Sequence, residues 1–389
     1  MAYRIHTLNN ISLRGLERLP RDRYEVASDI ADPHAILVRS ADMHAMTLAP
    51  SVLAVARAGA GTNNVPVASL TKRGIPVFNS PGANANAVKE LVVAGLFLAA
   101  RNIVQAWEFA RSLSGDDKTI DEATERGKRD YAGFELPGRT FGVIGLGAIG
   151  VEVANVAERL GMRVIGYDPK ITVQRAWQLS SSIEQAISLD DLFARSQFIS
   201  VHVPLAEATR GLVDTARIAL MPKGGVILNF SRAPLVDDDA VIAALDAEKL
   251  HAYVCDFPKN SLKGHRKVVA LPHLGASTGE AEENCAVMVA DTLCDYLENG
   301  NIRHSVNFPD ANLVRLPGTS RIAVANSNVP NMVGQMSTLL ATAGINISEL
   351  LNKSRGEIAY TLIDVEGEID RTLLDRIRSI DGVLSARVL

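Results

Sequence analysis

The chain has few of the residues that mark specialised classes of protein. It carries only three cysteines in 389 residues, Cys255, Cys285 and Cys294. An odd number without CxxC spacing argues against a disulfide scaffold, offers no metal cluster, and points to a reducing, cytoplasmic setting. No charge sign dominates: 40 basic against 44 acidic residues give a net charge of −4. That balance excludes general binding to a nucleic-acid backbone. Long apolar runs are missing too. The longest, Leu91 to Ala100, is broken by Gly95 and is too short for a bilayer. The opening MAYRIHTLNN has no apolar core behind a basic segment, so no secretory signal is expected. What is present is ordinary globular material, 47% hydrophobic and 22% charged, in a length that suits two or three domains.

The first third alternates buried-strand patterns with helix-like stretches. AILVRS (35–40), VLAVARAG (52–59) and IPVFNSPG (75–82) read as strands, and the spacing between them predicts βαβ units and a parallel sheet. A helical run extends from Ala85 to about Arg111, and the polar stretch 114–130 reads as an exposed connection. A second unit opens at Thr140. FGVIG, RVIGYD, QFISVHV, GVILNF, AYVCDF and KVVALPH predict strands separated by helices, a doubly wound sheet. STGE (277–280) is a capping-box start for a long helix that Asn299-Gly300 ends. After a linker, the last 70 or so residues predict the order βαββαβ, the ferredoxin-like arrangement.

Gly145-Leu146-Gly147-Ala148-Ile149-Gly150 matches G-x-G-x-x-G. Its context gives it weight: a strand before it, an amphipathic helix after it, and Asp168 at the end of the next strand. Gly145 allows the tight turn, Gly147 lets a pyrophosphate approach the backbone, and Gly150 lets helix and strand pack closely. The helix N-terminus offers free N–H groups to the phosphates. Asp168 can accept both ribose hydroxyls and would repel a 2′-phosphate, which selects NAD over NADP.

Three segments fall at predicted carboxyl ends of strands in the same sheet: NFSR (229–232), CDFP (255–258) and PHLGAST (272–278). Arg232 can clamp a carboxylate with two parallel hydrogen bonds. His273 can take a hydroxyl proton while hydride leaves the same carbon. With NAD, these groups describe the oxidation of a 2-hydroxy acid.

At these motifs the chain resembles the D-isomer-specific 2-hydroxyacid dehydrogenases. The resemblance runs through RAGAGTNNV (57–65), FNSPGANANAVKELV (78–92), FGVIGLGAIG, VHVPL, LNFSRAPLVDDDAV, PHLGAST and LENGNIRHSVNFP. It implies an α/β fold with a flavodoxin-like substrate domain from residues 1–90 and 280–310. Into that domain a Rossmann-like NAD domain of residues 91–279 is inserted. It implies that NAD is held by Gly145, Gly147, Ala148, Ile149, Gly150 and Asp168, with Pro204, Thr209, Phe230, Ser231, Arg232, Asp256, His273, Gly275 and Ala276. The loop Ala58-Gly59-Ala60-Gly61 would offer N–H groups to the substrate carboxylate opposite Arg232. Arg39 and Arg57 become candidates for a substrate phosphate, which favours 3-phosphoglycerate, and Arg129 could reach the same phosphate across a dimer. Other readings are a glyoxylate or hydroxypyruvate reductase, and a nucleotide-sensing protein that has lost the chemistry.

Two departures from the family pattern touch the site. Ser261 stands where a glutamate usually orients the histidine, and Asn63 replaces an aspartate. Without that glutamate, Lys263, ahead of Lys259, is the expected proton-transfer group, with His273 positioning substrate or cofactor. The tail (318–389), with SNVPNMVGQM and GINI, resembles an ACT domain, an amino-acid-sensing module that commonly pairs side by side. This implies a homodimer or homotetramer. It also implies an L-serine site between two chains, on Asn326 and Asn328, with Asn346 facing that loop. Asn326 stands where a histidine is usual, and Pro330-Asn331 where Pro-Gly is usual. The expectation is therefore that the tail pairs subunits and holds serine weakly or not at all.

Overall fold

The protein is described by a computed structural model covering residues 2–389. Two units divide it: the chain up to Asn84 together with Gly279–Leu389, and Ala85–Thr278. In the first unit, β1 (Tyr3–Leu8), β2 (Tyr24–Ala27), β3 (Ala35–Val38), β4 (Ala54–Arg57) and β5 (Val77–Phe78) form a parallel sheet. Its order, β2-β1-β3-β4-β5, is that of flavodoxin-like sheets. The strands are shorter than the apolar runs suggest. The strand expected over 35–40 stops at Val38 because the carbonyl of Arg39 leaves the ladder and accepts from Arg57 Nε (3.0 Å) and Asn64 Nδ2 (3.3 Å). The pattern did not announce β1 and β2, since β1 buries only Ile5 and β2 only Tyr24.

The second unit holds β6 (Thr140–Ile144), β7 (Arg163–Tyr167), β8 (Glu184–Gln185), β9 (Phe198–Val201), β10 (Gly225–Asn229), β11 (Leu250–Cys255) and β12 (Val268–Ala270). All pair in parallel, in the order β12-β11-β10-β9-β6-β7-β8. The chain leaves β6 toward β7 and returns on its other side at β9, so the switch point lies between β6 and β9. Helix α1 (Ala85–Ala100) and helix α2 (Ala148–Arg159) cover one face, packing Val92, Leu96, Ala154 and Ala157 against Phe141, Val143 and Leu228. Leu192, Phe193, Ile218 and Val241 cover the other face, over Ile144, Ile199 and Ile227.

Two local expectations give way here. The helical run from Ala85 breaks at Asn102, whose φ of 48° is left-handed, and resumes as a separate helix at Ile103–Ser112. The exposed connection 114–130 contains an eleven-residue helix, Asp117–Gly127, started by Asp116 accepting from Thr119 N at 2.9 Å. It buries no side chain, so it shows no apolar period to read.

The chain re-enters the first unit with α3 (Gly279–Asn299), which buries Cys285, Ala286, Val289, Ala290, Leu293 and Leu297 in the core beneath the first sheet. Gly300, at φ 72°, ends it. The tail follows as β13 (Thr319–Ser327), α4 (Met332–Thr342), β14 (Ile347–Arg355), β15 (Ile358–Glu366), α5 (Arg371–Arg378) and β16 (Val383–Val388). Its antiparallel sheet, β14-β15-β13-β16, is ferredoxin-like. Asn331 starts α4 at φ 66°, a left-handed position that asparagine tolerates in place of glycine.

The two helices cover one face of that sheet through Ile322, Val324, Met336, Leu340, Ile363 and Ile377. The opposite face places Ala323, Ala325, Tyr360 and Leu362 in the same core as Tyr296, Leu297 and Phe308, so the tail belongs to the first unit. Polar anchors lie at this junction. Arg321 and Asp364, both without solvent exposure, form a bidentate pair at 2.5 and 2.6 Å. The same guanidinium donates to the carbonyls of Asn299 (3.0 Å) and Leu313 (2.8 Å), and Tyr360 donates to that of Gly300 (2.7 Å).

Candidate active site

Because β6 to β12 are parallel, their carboxyl ends share one edge, and each motif residue follows one of those ends. The glycine loop follows β6. Gly145 has φ 89°, and a Cβ there would lie 2.6 Å from the carbonyl oxygen of His202. A Cβ on Gly150 would lie 1.8 Å from the carbonyl oxygen of Gly145. Gly147, the N-cap of α2, has no atom within 4 Å of where a Cβ would stand. Two glycines are thus required by packing, and the third keeps an open approach to the helix N-terminus. Asp168 follows β7 and is half-buried; its carboxylate accepts from Leu146 N (2.9 Å) and Lys170 N (2.8 Å), tying the glycine loop to the neighbouring strand. An open loop, a helix start and a carboxylate at this spacing fit a dinucleotide.

The next strand ends are stitched together by side chains. Ser231 Oγ donates to Val201 O at 2.6 Å, and Asn229 Oδ1 accepts from Ser231 N at 3.2 Å. Asn229 Nδ2 donates to Arg232 O at 2.9 Å, and Asp256 N donates to Asn229 O at 3.1 Å. Buried Asn229 therefore sets the turn that presents Arg232; it lay inside the NFSR motif without an assigned role, and a polar residue at a buried strand end was the available signal. Arg232 is half-buried, with Nη1 donating to Ser231 O (2.6 Å), and no carboxylate pairs with it among the described residues. Thr209 accepts from Ala206 N (2.8 Å) and donates to Pro204 O (2.7 Å), closing the turn beyond β9, while Phe230 is buried. Ala148 and Ile149 form the first turn of α2, and Ala276 is exposed beside buried Gly275.

Asp256 has no solvent exposure, and both its oxygens face the PHLGAST loop: Leu274 N donates to Oδ1 and Gly275 N to Oδ2, each at 2.7 Å. The family resemblance implies a cofactor role for Asp256; in the fold its carboxylate holds the loop that carries His273. His273 sits at φ 58°, exposed, its ring tilted against Phe257 at 5.4 Å. A carboxylate pairs with this ring nowhere among the described residues, in keeping with Ser261. Buried Leu262 anchors the neighbouring turn, which leaves Lys263 exposed, while Lys259 is ion-paired to Asp238. The burial that would suit Lys263 to proton abstraction is lacking. His202 is a group the sequence reading passed over. Its Nε2 meets Ser200 Oγ at 2.8 Å, its Nδ1 is buried without a partner, and burial lowers its pKa to about 3.

In the first unit, Arg39 and Arg57 lie at the ends of adjacent β3 and β4. The expected N–H donors of the following loop are partly spent. Ala58 N donates to Val38 O at 2.8 Å, and Gly59 N to Ser80 Oγ at 2.7 Å. That leaves Ala60 and Gly61 as the loop's candidates for a carboxylate. In the tail, Asn326 is buried with Nδ2 donating to Ser327 O (2.8 Å), and Asn328 Nδ2 donates to Gly356 O (3.0 Å). Asn346 does not face them within one chain. Its carbonyl accepts from Glu366 N (3.1 Å), and Glu366 pairs with Thr319 at the far end of β13 from Asn326.

Residues 96–275 match the family described as D-isomer specific 2-hydroxyacid dehydrogenase, NAD binding domain. A Haemophilus influenzae protein is 33% identical over 385 residues, which cover 95% of this chain and 89% of the relative. The chain belongs to the D-isomer-specific 2-hydroxyacid dehydrogenases, and its cofactor is NAD. That relative is a D-3-phosphoglycerate dehydrogenase, and so is an Escherichia coli K12 protein 31% identical over 95% of this chain and 90% of its own length. Among solved structures, NAD+-bound 3-phosphoglycerate dehydrogenase of Entamoeba histolytica matches with a TM-score of 0.61 and 25% identity, covering 79% of this chain and 99% of that one. D-mandelate dehydrogenase of Rhodotorula graminis shares the fold, with a TM-score of 0.66 and 24% identity over 82% of this chain and all of that one.

Proposed function

We propose that the enzyme oxidises D-3-phosphoglycerate to 3-phosphohydroxypyruvate with NAD, the first step toward serine. The observation that carries this is the reach of the resemblance: relatives of that activity align with 95% of the chain, so the tail is included. Arg232, a cation that no carboxylate among the described residues neutralises, holds the substrate carboxylate and keeps C2 oriented. His273 takes the 2-hydroxyl proton as the carbon becomes a ketone, and it is favoured over Lys263 because the loop presenting it is clamped by Asp256. NAD, when bound, supplies the acceptor for the hydride. Arg39 and Arg57 supply the cations for the phosphate.

The tail reads as an ACT module that pairs chains into a homodimer or homotetramer, in a cytoplasmic enzyme. An L-serine effector would need Asn326 and Asn328 of one chain with Asn346 of another, because within one chain they lie at opposite ends of the sheet. The test is NADH formation with 3-phosphoglycerate, compared with reduction of glyoxylate and hydroxypyruvate by NADH. Turnover of 3-phosphoglycerate at least tenfold more efficient supports the reading; preference for glyoxylate makes the enzyme a reductase of the same family. Replacing Arg232 with Ala should lower kcat and raise KM together.

A further inference from the structure

The arginines offered to the phosphate are not equally placed. The carbonyl of Arg39 is pinned by donors from Arg57 (3.0 Å) and Asn64 (3.3 Å), so its side chain starts from a fixed point. The Arg57 guanidinium lies across Gly59, where a Cβ would stand 2.0 Å from its Nη1. Arg39 reaches instead to the first turn of α3, where its Nη2 donates to Glu282 Oε1. Both side chains of this pair are partly open to water, 38% and 40% exposed. Glu283, the next residue, turns away to Arg14 at 3.1 Å, and Cys285, one turn on, is buried in the core. Glu282 is therefore the carboxylate that α3 places on the basic end of this sheet.

We propose that Glu282 sets the enzyme's discrimination for the phosphate group, by neutralising Arg39 until the phosphate displaces it. This rests on the assignment of Arg39 to the phosphate made above. A phosphate arriving at Arg39 must compete with a carboxylate already there and then lie near its negative charge. A substrate without phosphate meets neither cost. Glu282 thus narrows the advantage that Arg39 gives a phosphorylated acid over its unphosphorylated analogue.

Calorimetry on the NADH-saturated full-length enzyme, in which a hydroxy acid can bind but cannot pass on its hydride, tests this with 3-phosphoglycerate and D-glycerate as ligands. Glu282→Gln keeps an acceptor oxygen and removes the charge. It should tighten 3-phosphoglycerate roughly threefold to fivefold, the scale of a half-exposed charge pair. The Kd for D-glycerate should not move, and the gain should shrink at high salt. Unchanged or weaker binding of 3-phosphoglycerate to Glu282→Gln would overturn the proposal, as would equal tightening of D-glycerate. Arg39→Met separates this from the assignment beneath it: if that variant binds both ligands as the wild type does, the phosphate role of Arg39 is what has failed.

Discussion

Replacing Asp256 tests whether the chemistry depends on a buried clamp. Its carboxylate accepts two backbone N–H groups at 2.7 Å, from Leu274 and Gly275, at no solvent exposure. Hydrogen bonds to a charged group contribute about 1.5–3 kcal/mol each, so losing both in Asp256→Ala should cost about 3–6 kcal/mol. That is a large part of the roughly 5–15 kcal/mol that holds a domain together. Asp256→Asn is the finer probe, because its amide keeps one acceptor and turns a donor toward the second N–H. About half the loss is expected, roughly 1.5–3 kcal/mol, unless the loop 271–278 opens locally to water. Urea unfolding of the NAD-free enzyme measures the stability, and NADH formation measures kcat. With the loop loosened, His273 loses its fixed position and kcat should fall by about tenfold or more. If NAD-free Asp256→Asn matches the wild type within about 0.5 kcal/mol and only NAD affinity falls, the residue serves the cofactor and the clamp argument is wrong.

Two further predictions concern the same edge of the sheet. Gly147→Ala should fold normally, since nothing lies within 4 Å of its new Cβ, yet bind NAD at least tenfold more weakly. Gly150→Ala drives a Cβ to 1.8 Å from a backbone carbonyl and should lose about 1–3 kcal/mol of stability before any ligand is added; equal stability of the two variants would refute the distinction. His202, lowered by burial to about 3, binds its proton in the unfolded chain below about pH 6.5 but stays neutral when folded. Stability should therefore be fully present above about pH 6.5 and fall on acidification toward about pH 3, by up to about 1.4 kcal/mol per pH unit, and urea midpoints of His202→Gln should show a shallower slope.

The sequence alone determined the parts that local chemistry controls. A glycine pattern between a strand and a helix leaves few other uses for Gly145, Gly147 and Gly150, and the aliphatic runs of β6, β9 and β10 could only be buried on both faces. The tail's strand-like and helix-like runs were legible in order, and its central strands β13 and β15 are buried on both faces. Elements without an apolar period escaped: β1 and β2 bury one residue each, and helix Asp117–Gly127 buries none.

Only the tertiary structure decided what the polar residues do. The family resemblance offered Asp256 to the cofactor, whereas the fold spends both its oxygens on the loop that carries His273. Lys263 ranked ahead of Lys259 in DFPKNSLKGH, but packing of Leu262 leaves the first in water and Asp238 captures the second. Glu282 is one acid among several in a helix start until α3 packs and brings it to Arg39. Asn326 and Asn346 lie twenty residues apart in sequence, yet stand at opposite ends of a sheet because β13 and β14 flank β15 in the same direction. A hydrophobic pattern fixes which face of an element is buried. The partner of a hydrogen-bonding group depends on which distant segment the packed elements bring within about 3 Å, and adjacency in the chain carries no record of that.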